Sequence, residues 1–287
     1  MSSVGVELLP IPPLERPALL ISMRGWFDMG EAATNALEWL SMAHNANPAA
    51  SIDPELLFDF QEVRPTVQLG ANGTREIHWP TNNVVWAKTP PGHRDLVLLA
   101  GTEPNLRWRS FGDAIRQIIA HTGAEIVLTV GSTLAMTPHT RAFPVHASTG
   151  DPELATRLKI GMPTYEGPTG LIGSLHEQLD KQALALVSLR VSVPHYVPGA
   201  PSPKASAALL VKIEQLLNVP TGHVDLADEI RDWESRVHMA LAEDEEIRSY
   251  VTELERQVDD EPEILHDRAD LSSEIERFLR GQGPENI

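Results

Sequence analysis

The chain has 287 residues, enough for one large α/β domain with an appendage or for two ordinary domains. Its hydrophobic content of 42% is that of a globular protein with a sizeable core, and no window nears the roughly 20 apolar residues that a membrane span requires. Cysteine is absent, which excludes disulfides, thiol catalysis and thiolate metal sites, and a net charge of −17 argues against nucleic acid, whose phosphates need clustered Lys and Arg.

The opening MSSVGVELLPIPPLERP has no basic head followed by an apolar stretch, so no export signal is read and a cytoplasmic location is expected. Pro17 to Met23 is short, apolar and continuous, the pattern of a strand buried on both faces. It ends at Arg24-Gly25-Trp26. From Asp28 a helical pattern sets in, with Ala32, Ala33, Ala36, Leu37 and Leu40 on one face, Asp28 as its cap and Glu31 at a capping-box position. Leu56 to Val63, the residues around Glu76 to Trp79, and Val84 to Lys88 read as short strands separated by Pro and Asn-Gly turns.

Asp95 to Ala100 and Glu125 to Val130 are further buried strands, with a helix from Leu106 to His121 between them. Phe143 to Ala147 reads as extended, Leu171 to Leu179 as helical, Ala183 to Val193 as a strand and Ala205 to Leu217 as a helix. Strands alternating with helices predict a three-layer α/β/α sandwich around a mostly parallel sheet.

Beyond Val219-Pro220-Thr221-Gly222 the character changes. Residues 219–287 hold 20 of the 40 acidic and 7 of the 23 basic residues, so most of the negative charge lies there. The expected division is an α/β domain over 1–220 and an acidic helical segment over 221–287. Positions 226, 233, 240, 247 and 254, with 230, 237, 244, 251 and 258, are apolar except Asp244. That seven-residue spacing predicts a coiled-coil-like stripe on one helix of about 50 Å, ended by Pro262, with a shorter helix from Leu271 to Leu279.

Four loops concentrate the chemistry: Gly25-Trp26-Phe27-Asp28-Met29-Gly30; Gly131-Ser132-Thr133 running on to Pro138-His139-Thr140-Arg141; Tyr165-Glu166-Gly167-Pro168-Thr169-Gly170; and Val193-Pro194-His195-Tyr196 with Ser202-Pro203-Lys204 after it. Loops at the carboxyl ends of parallel strands converge where ligands bind. Trp26, Asp28, Gly131, His139, Thr140, Arg141, Tyr165, Gly167, Gly170 and His195 are therefore the ligand-binding candidates. His139 and Glu166 are the candidate acid/base groups, and Arg141 is a candidate anion clamp. Each has a bland counterpart: a helix cap for Asp28, a structural turn for residues 138–141, tight-turn glycines at 167 and 170, and a packed ring for His195. Phosphate-loop, dinucleotide-fingerprint, paired-His zinc and nucleophile-elbow motifs are all missing, and no metal or cofactor is called for.

Taken together, Gly25-Trp26-x-Asp28-x-Gly30, Pro138-His139-Thr140-Arg141, Tyr165-x-Gly167-Pro168-x-Gly170 and Val193-Pro194-His195-Tyr196 with Ser202-Pro203-Lys204-Ala205 resemble, in order and spacing, the proteasome-assembly-chaperone-2-like family. The likeness spans about residues 17–217 and is greatest to the actinobacterial branch with an added helical C-terminal segment. It implies a phosphorylase/hydrolase-like α/β/α fold, a homo-oligomer such as a trimer, and a role in binding or assembling proteins. The alternative is an enzyme or sensor that takes a small anionic or nucleoside-like ligand at the strand ends.

Overall fold

The computed structural model describes residues 4–70, 72–180, 184–197, 199, 201–260 and 271–281. In chain order these form β1 (Val6–Leu8), β2 (Ala18–Arg24), α1 (Ala32–Ala43), β3 (Asn47–Ile52), β4 (Thr66–Leu69), β5 (Arg75–His78), β6 (Asn82–Ala87), β7 (Leu96–Thr102) and α2 (Trp108–Thr122). There follow β8 (Ile126–Ala135), β9 (Val145–Ser148), α3 (Pro152–Leu158), α4 (Leu171–Asp180), β10 (Ala185–Pro194), α5 (Pro203–Leu217), α6 (Ala227–Leu241), α7 (Glu245–Asp260) and α8 (Leu271–Gly281).

One sheet has the order β1-β3-β6-β7-β2-β8-β10-β9. Its centre, β7-β2-β8-β10, is parallel, and antiparallel strands extend it on both sides. The central strands carry no polar alternation because both faces are covered. Leu20, Leu98 and Leu128 face α1, α5, α6 and α8, whereas Leu19, Ile21 and Val127 face α2 and α4. This is the α/β/α sandwich the alternation predicts. Among the described residues no helix is long and apolar enough to cross a membrane.

Several local expectations change. Residues 56–63 form turns rather than a strand, with Leu57 and Val63 amides bonded back to Pro54 and Asp59 carbonyls. β1, β3, β4 and α3 are additional elements; α3 carries an Asp151 cap, whose carboxylate accepts from the Glu153 and Leu154 amides, and a Pro at its start. The capping box at Glu31 does not form. That residue sits at φ 51°, and the carboxylate of Asp28 reaches further, to the amides of Ala33 (2.8 Å) and Thr34 (3.2 Å).

The long tail helix is also two helices. The break spans residues 242–244, between α6 and α7, and includes the one polar member of the apolar stripe. Asp244 turns its carboxylate to the Ile247 amide (3.1 Å), capping α7 instead of continuing α6. The stripe divides accordingly: Leu226, Trp233 and Val237 join the main core, Val251 and Leu254 are buried under α7, and Val258 is exposed. Pro262 lies outside the described residues.

Candidate functional site

Because β7, β2, β8 and β10 run parallel and in register, Thr102, Arg24, Ala135 and Pro194 end on one edge of the sheet. The four sequence loops gather along that edge as a rim with two ends and a joint between them.

The joint is Asp28. Its carboxylate is buried and receives the Ala33 and Thr34 amides, the Thr34 hydroxyl and, at 3.3 Å, the Ser132 hydroxyl. Ser132 also donates from its amide to the Phe27 carbonyl (2.9 Å) and is within 2.7 Å of the Met29 carbonyl. Burial pushes the Asp28 carboxyl above the usual range, against the hydrogen bonds from Thr34, Ala33 and Ser132 that favour its charged form. Asp28 therefore spends its oxygens on latching the start of α1 to the end of β8. Gly131 permits the same contact, since a Cβ there would lie 2.1 Å from the Phe27 ring.

One end of the rim is built on Glu103, just past β7. Its carboxylate accepts from the Trp26 amide (3.3 Å) and lies 3.8 Å from where a Cβ of Gly170 would be. A Cβ on Gly25, at φ 150°, would come within 2.7 Å of the same carboxylate. The Trp26 ring projects into solvent, and Tyr165 is exposed, its hydroxyl bonded to the Pro168 carbonyl (3.1 Å). Glu166 is exposed and joins no hydrogen bond or ion pair among the described residues.

The opposite end is denser. Residues 138–141 form a turn closed by the Arg141 amide on the Pro138 carbonyl. His139 is buried, and the Tyr196 hydroxyl lies 2.8 Å from its amide and 2.9 Å from Nδ1. One phenol satisfies both when its oxygen accepts from the amide and its proton goes to Nδ1. The imidazole proton then resides on Nε2, which is buried without a partner among the described residues. Burial, followed by the charge of Lys204, holds His139 below the ordinary histidine pKa, so the ring is neutral. Burial pushes the Tyr196 phenol up to about 12, with the negative charge of Glu255 acting in the same direction.

Arg141 does not face an open anion site. Its Nε and Nη2 grip the two carboxylate oxygens of Asp259, each at 2.8 Å, with Glu255 3.6 Å from Nη1. Thr140 donates to the same Glu255. The rings of His195, Tyr196 and Tyr250 meet edge to face with centroids 5.5 to 6.4 Å apart. Asp259, Glu255 and Tyr250 all belong to α7, so a helix of the acidic tail lies along this end of the rim. Behind it Lys204 donates to the His139 carbonyl (2.7 Å) and to Glu234 of α6 (2.5 Å). Ser202 caps α5 and reaches back to the Gly30 carbonyl, tying the fourth loop to the first.

The structure thus gathers His139, Thr140, Arg141 and His195 at the end covered by α7, leaves Asp28 and Gly131 in the joint, and sets Trp26, Tyr165, Gly167 and Gly170 towards the Glu103 end. No hydrogen bond or ion pair joins His139 to Glu166 among the described residues. Glu103, Tyr250, Glu255 and Asp259 lie outside the four motif loops of the sequence. Glu255 and Asp259 are four residues apart and share a helix face, a signal the sequence does hold.

A three-layer sandwich whose strand-end rim carries these four motifs is a recognisable class. The chain belongs to the PAC2 family, whose profile matches residues 22–241. Among solved structures it is similar to a PAC2 family protein from Streptomyces avermitilis, with 38% identity over 82% of this chain and 99% of that one and a TM-score of 0.76. It is similar, at 35% identity over 82% and 99% with a TM-score of 0.74, to the proteasome-assembly chaperone homologue of Mycobacterium tuberculosis. A Mycobacterium tuberculosis protein of unknown function shares the fold over 96% of this chain and 92% of that one, at 24% identity and a TM-score of 0.78. No curated protein matches.

Proposed function

We propose that this chain is a protein-binding assembly factor that works as a homo-oligomer. One observation carries the reading: the rim end built from Thr140, Arg141, His195 and Tyr196 is engaged by a helix, through spaced carboxylates and an aromatic ring. A surface that holds α7 in this way is complementary to protein, and its bidentate arginine is suited to carboxylate recognition. Kinship with the mycobacterial proteasome-assembly chaperone homologue adds a partner class, proteasome subunits.

The test is to immobilise the full-length protein and pass over it actinobacterial α- and β-type proteasome subunits. Saturable binding, together with faster formation of the core particle in solution, is the expected outcome. Absence of both with folded protein overturns the assembly role.

An anion-binding reading draws on the unpartnered Nε2 of His139 beside the Arg141 turn. A thermal-shift panel of phosphate, nucleosides and nucleotides tests it, because ligand at about 100 times its Kd stabilises by about 2.7 kcal/mol. A shift that disappears in Arg141→Ala would favour this reading over the first.

A further inference from the structure

Among the described residues two further apolar surfaces lack cover, a hairpin away from the rim and a groove that adjoins it at Tyr196, and they match each other. The first is the β4–β5 hairpin. All eight of its strand residues are exposed, and among the described residues the two strands pair only with each other. Its register places Val67 opposite Ile77 and Leu69 opposite Arg75. Side chains alternate along a strand, so these four share one face, while Thr66, Gln68, Glu76 and His78 share the other. Val67, Leu69 and Ile77 are 48%, 75% and 57% exposed. A two-stranded hairpin is marginal in water by itself, and an alternating pattern with its apolar face in solvent is that of a half-buried element awaiting a second layer.

The second surface is a groove of about 800 Å³ where α1, α5 and α6 meet, floored by Trp39, Met42, Leu226, Trp233 and Val237. Its rim carries Glu38, Glu229 and Asp232, with Arg236 beside them. Glu229 and Asp232 have no ion-pair partner among the described residues, and neither does Arg75 on the hairpin's apolar face. Residues 64–79 hold Arg64, Arg75 and His78 against one acidic residue, Glu76, in a chain of net charge −17. The hairpin is thus apolar and locally basic, and the groove is apolar and locally acidic.

The fold keeps them apart within one molecule. The groove lies on the sheet face that carries Leu20 and Leu98. The hairpin is rooted on the opposite face, where Trp79 packs edge to face on Phe60 (4.8 Å) and Phe60 joins the cluster of Leu19 and Ile21. We propose that the β4–β5 hairpin of one copy docks into the α1–α5–α6 groove of a second copy, with Arg75 meeting the Glu229 and Asp232 carboxylates. A contact between two different surfaces of the same chain is heterologous, so it adds copies head to tail and closes into a ring where the rotation allows.

The inference rests on the homo-oligomer part of the reading above, and the experiment separates the two. Mass is measured by light scattering on the full-length protein, on Leu69→Glu (hairpin lost, groove intact) and on Met42→Glu (groove lost, hairpin intact). Both positions are well exposed, and unchanged circular dichroism confirms that each variant folds. The expected result is an oligomeric wild type, two monomeric variants, and a one-to-one pair when the variants are mixed, because each then supplies the surface the other lacks. Arg75→Glu should weaken association by about tenfold or more at low salt, and a partner bearing Glu229→Arg and Asp232→Arg should restore it. An oligomeric wild type whose mass survives Leu69→Glu or Met42→Glu, or a mixture that stays monomeric, overturns this contact alone. A monomeric wild type overturns the oligomer itself.

Discussion

Two helices of the acidic tail, α7 and α8, are joined to the body in opposite ways. α8 buries Leu271, Ile275 and Phe278 in the main core, and its Glu276 meets Arg94, which is 1% exposed and also pairs with Glu125. α7 has only Val251 and Leu254 buried among its 16 residues, and its grip on the rim runs through Arg141, Thr140 and the Tyr250 ring. Exposed ion pairs contribute little, whereas buried aromatic and aliphatic side chains contribute several times more. The same acidic composition therefore yields one helix that belongs to the core and one that is held from outside.

The strongest way to break the contrast is Phe278→Ala. Loss of a buried aromatic should lower global stability by about 3 to 4 kcal/mol, read by denaturant unfolding. Arg94→Met is next, at about 2 kcal/mol, because Glu125 loses its counter-charge and Glu276 keeps only Arg16 (3.2 Å), both carboxylates retaining some access to water.

Acid sharpens the contrast. Burial holds His176, against Thr129, down to about 4, and His139 is also lowered. A histidine with a depressed folded pKa favours the native state above its ordinary pKa of about 6.5 and loses that advantage as pH falls towards the folded value. Unfolding free energy, read by denaturant titration, should decline from about pH 6.5, with His176 alone removing about 3 kcal/mol by pH 4. Asp259 is held low by its hydrogen bonds with Arg141. Its contribution is present above the ordinary carboxylate pKa of about 4 and fades as pH falls below it, so the Asp259 pair on α7 should be lost only below about pH 4.

The smallest global effect belongs to Arg141→Ala. Amide exchange within α7 should quicken severalfold, and added salt should do the same to the wild type. α8 should be unaffected in both experiments. Equal changes in the two helices would remove the distinction.

Much of the architecture is legible in the residues themselves. The runs Pro17 to Met23, Asp95 to Ala100 and Glu125 to Val130 are apolar without alternation because helices cover both faces, and they become the centre of the sheet. The antiparallel flank is harder to read, since β3 begins Asn47-Pro48 and β1 has three residues. Asp151-Pro152 is a cap and first-turn pair that marks α3 in the sequence. Asp244, the misfit in the seven-residue pattern, is where the tail helix breaks. The rim is half legible. Local motifs locate the loops on strand ends, but the carboxylates that occupy Arg141 lie more than a hundred residues away, and no periodicity ties them to it.

Gly131 has a consequence that reaches past its own position. The Phe27 ring occupies the space that a side chain at 131 would need. Adding one methyl, as in Gly131→Ala, would push that ring aside, draw Asp28 off the amides of Ala33 and Thr34, and fray the first turn of α1. The fit of a whole helix against the sheet is thus conditional on a hydrogen atom in the neighbouring strand.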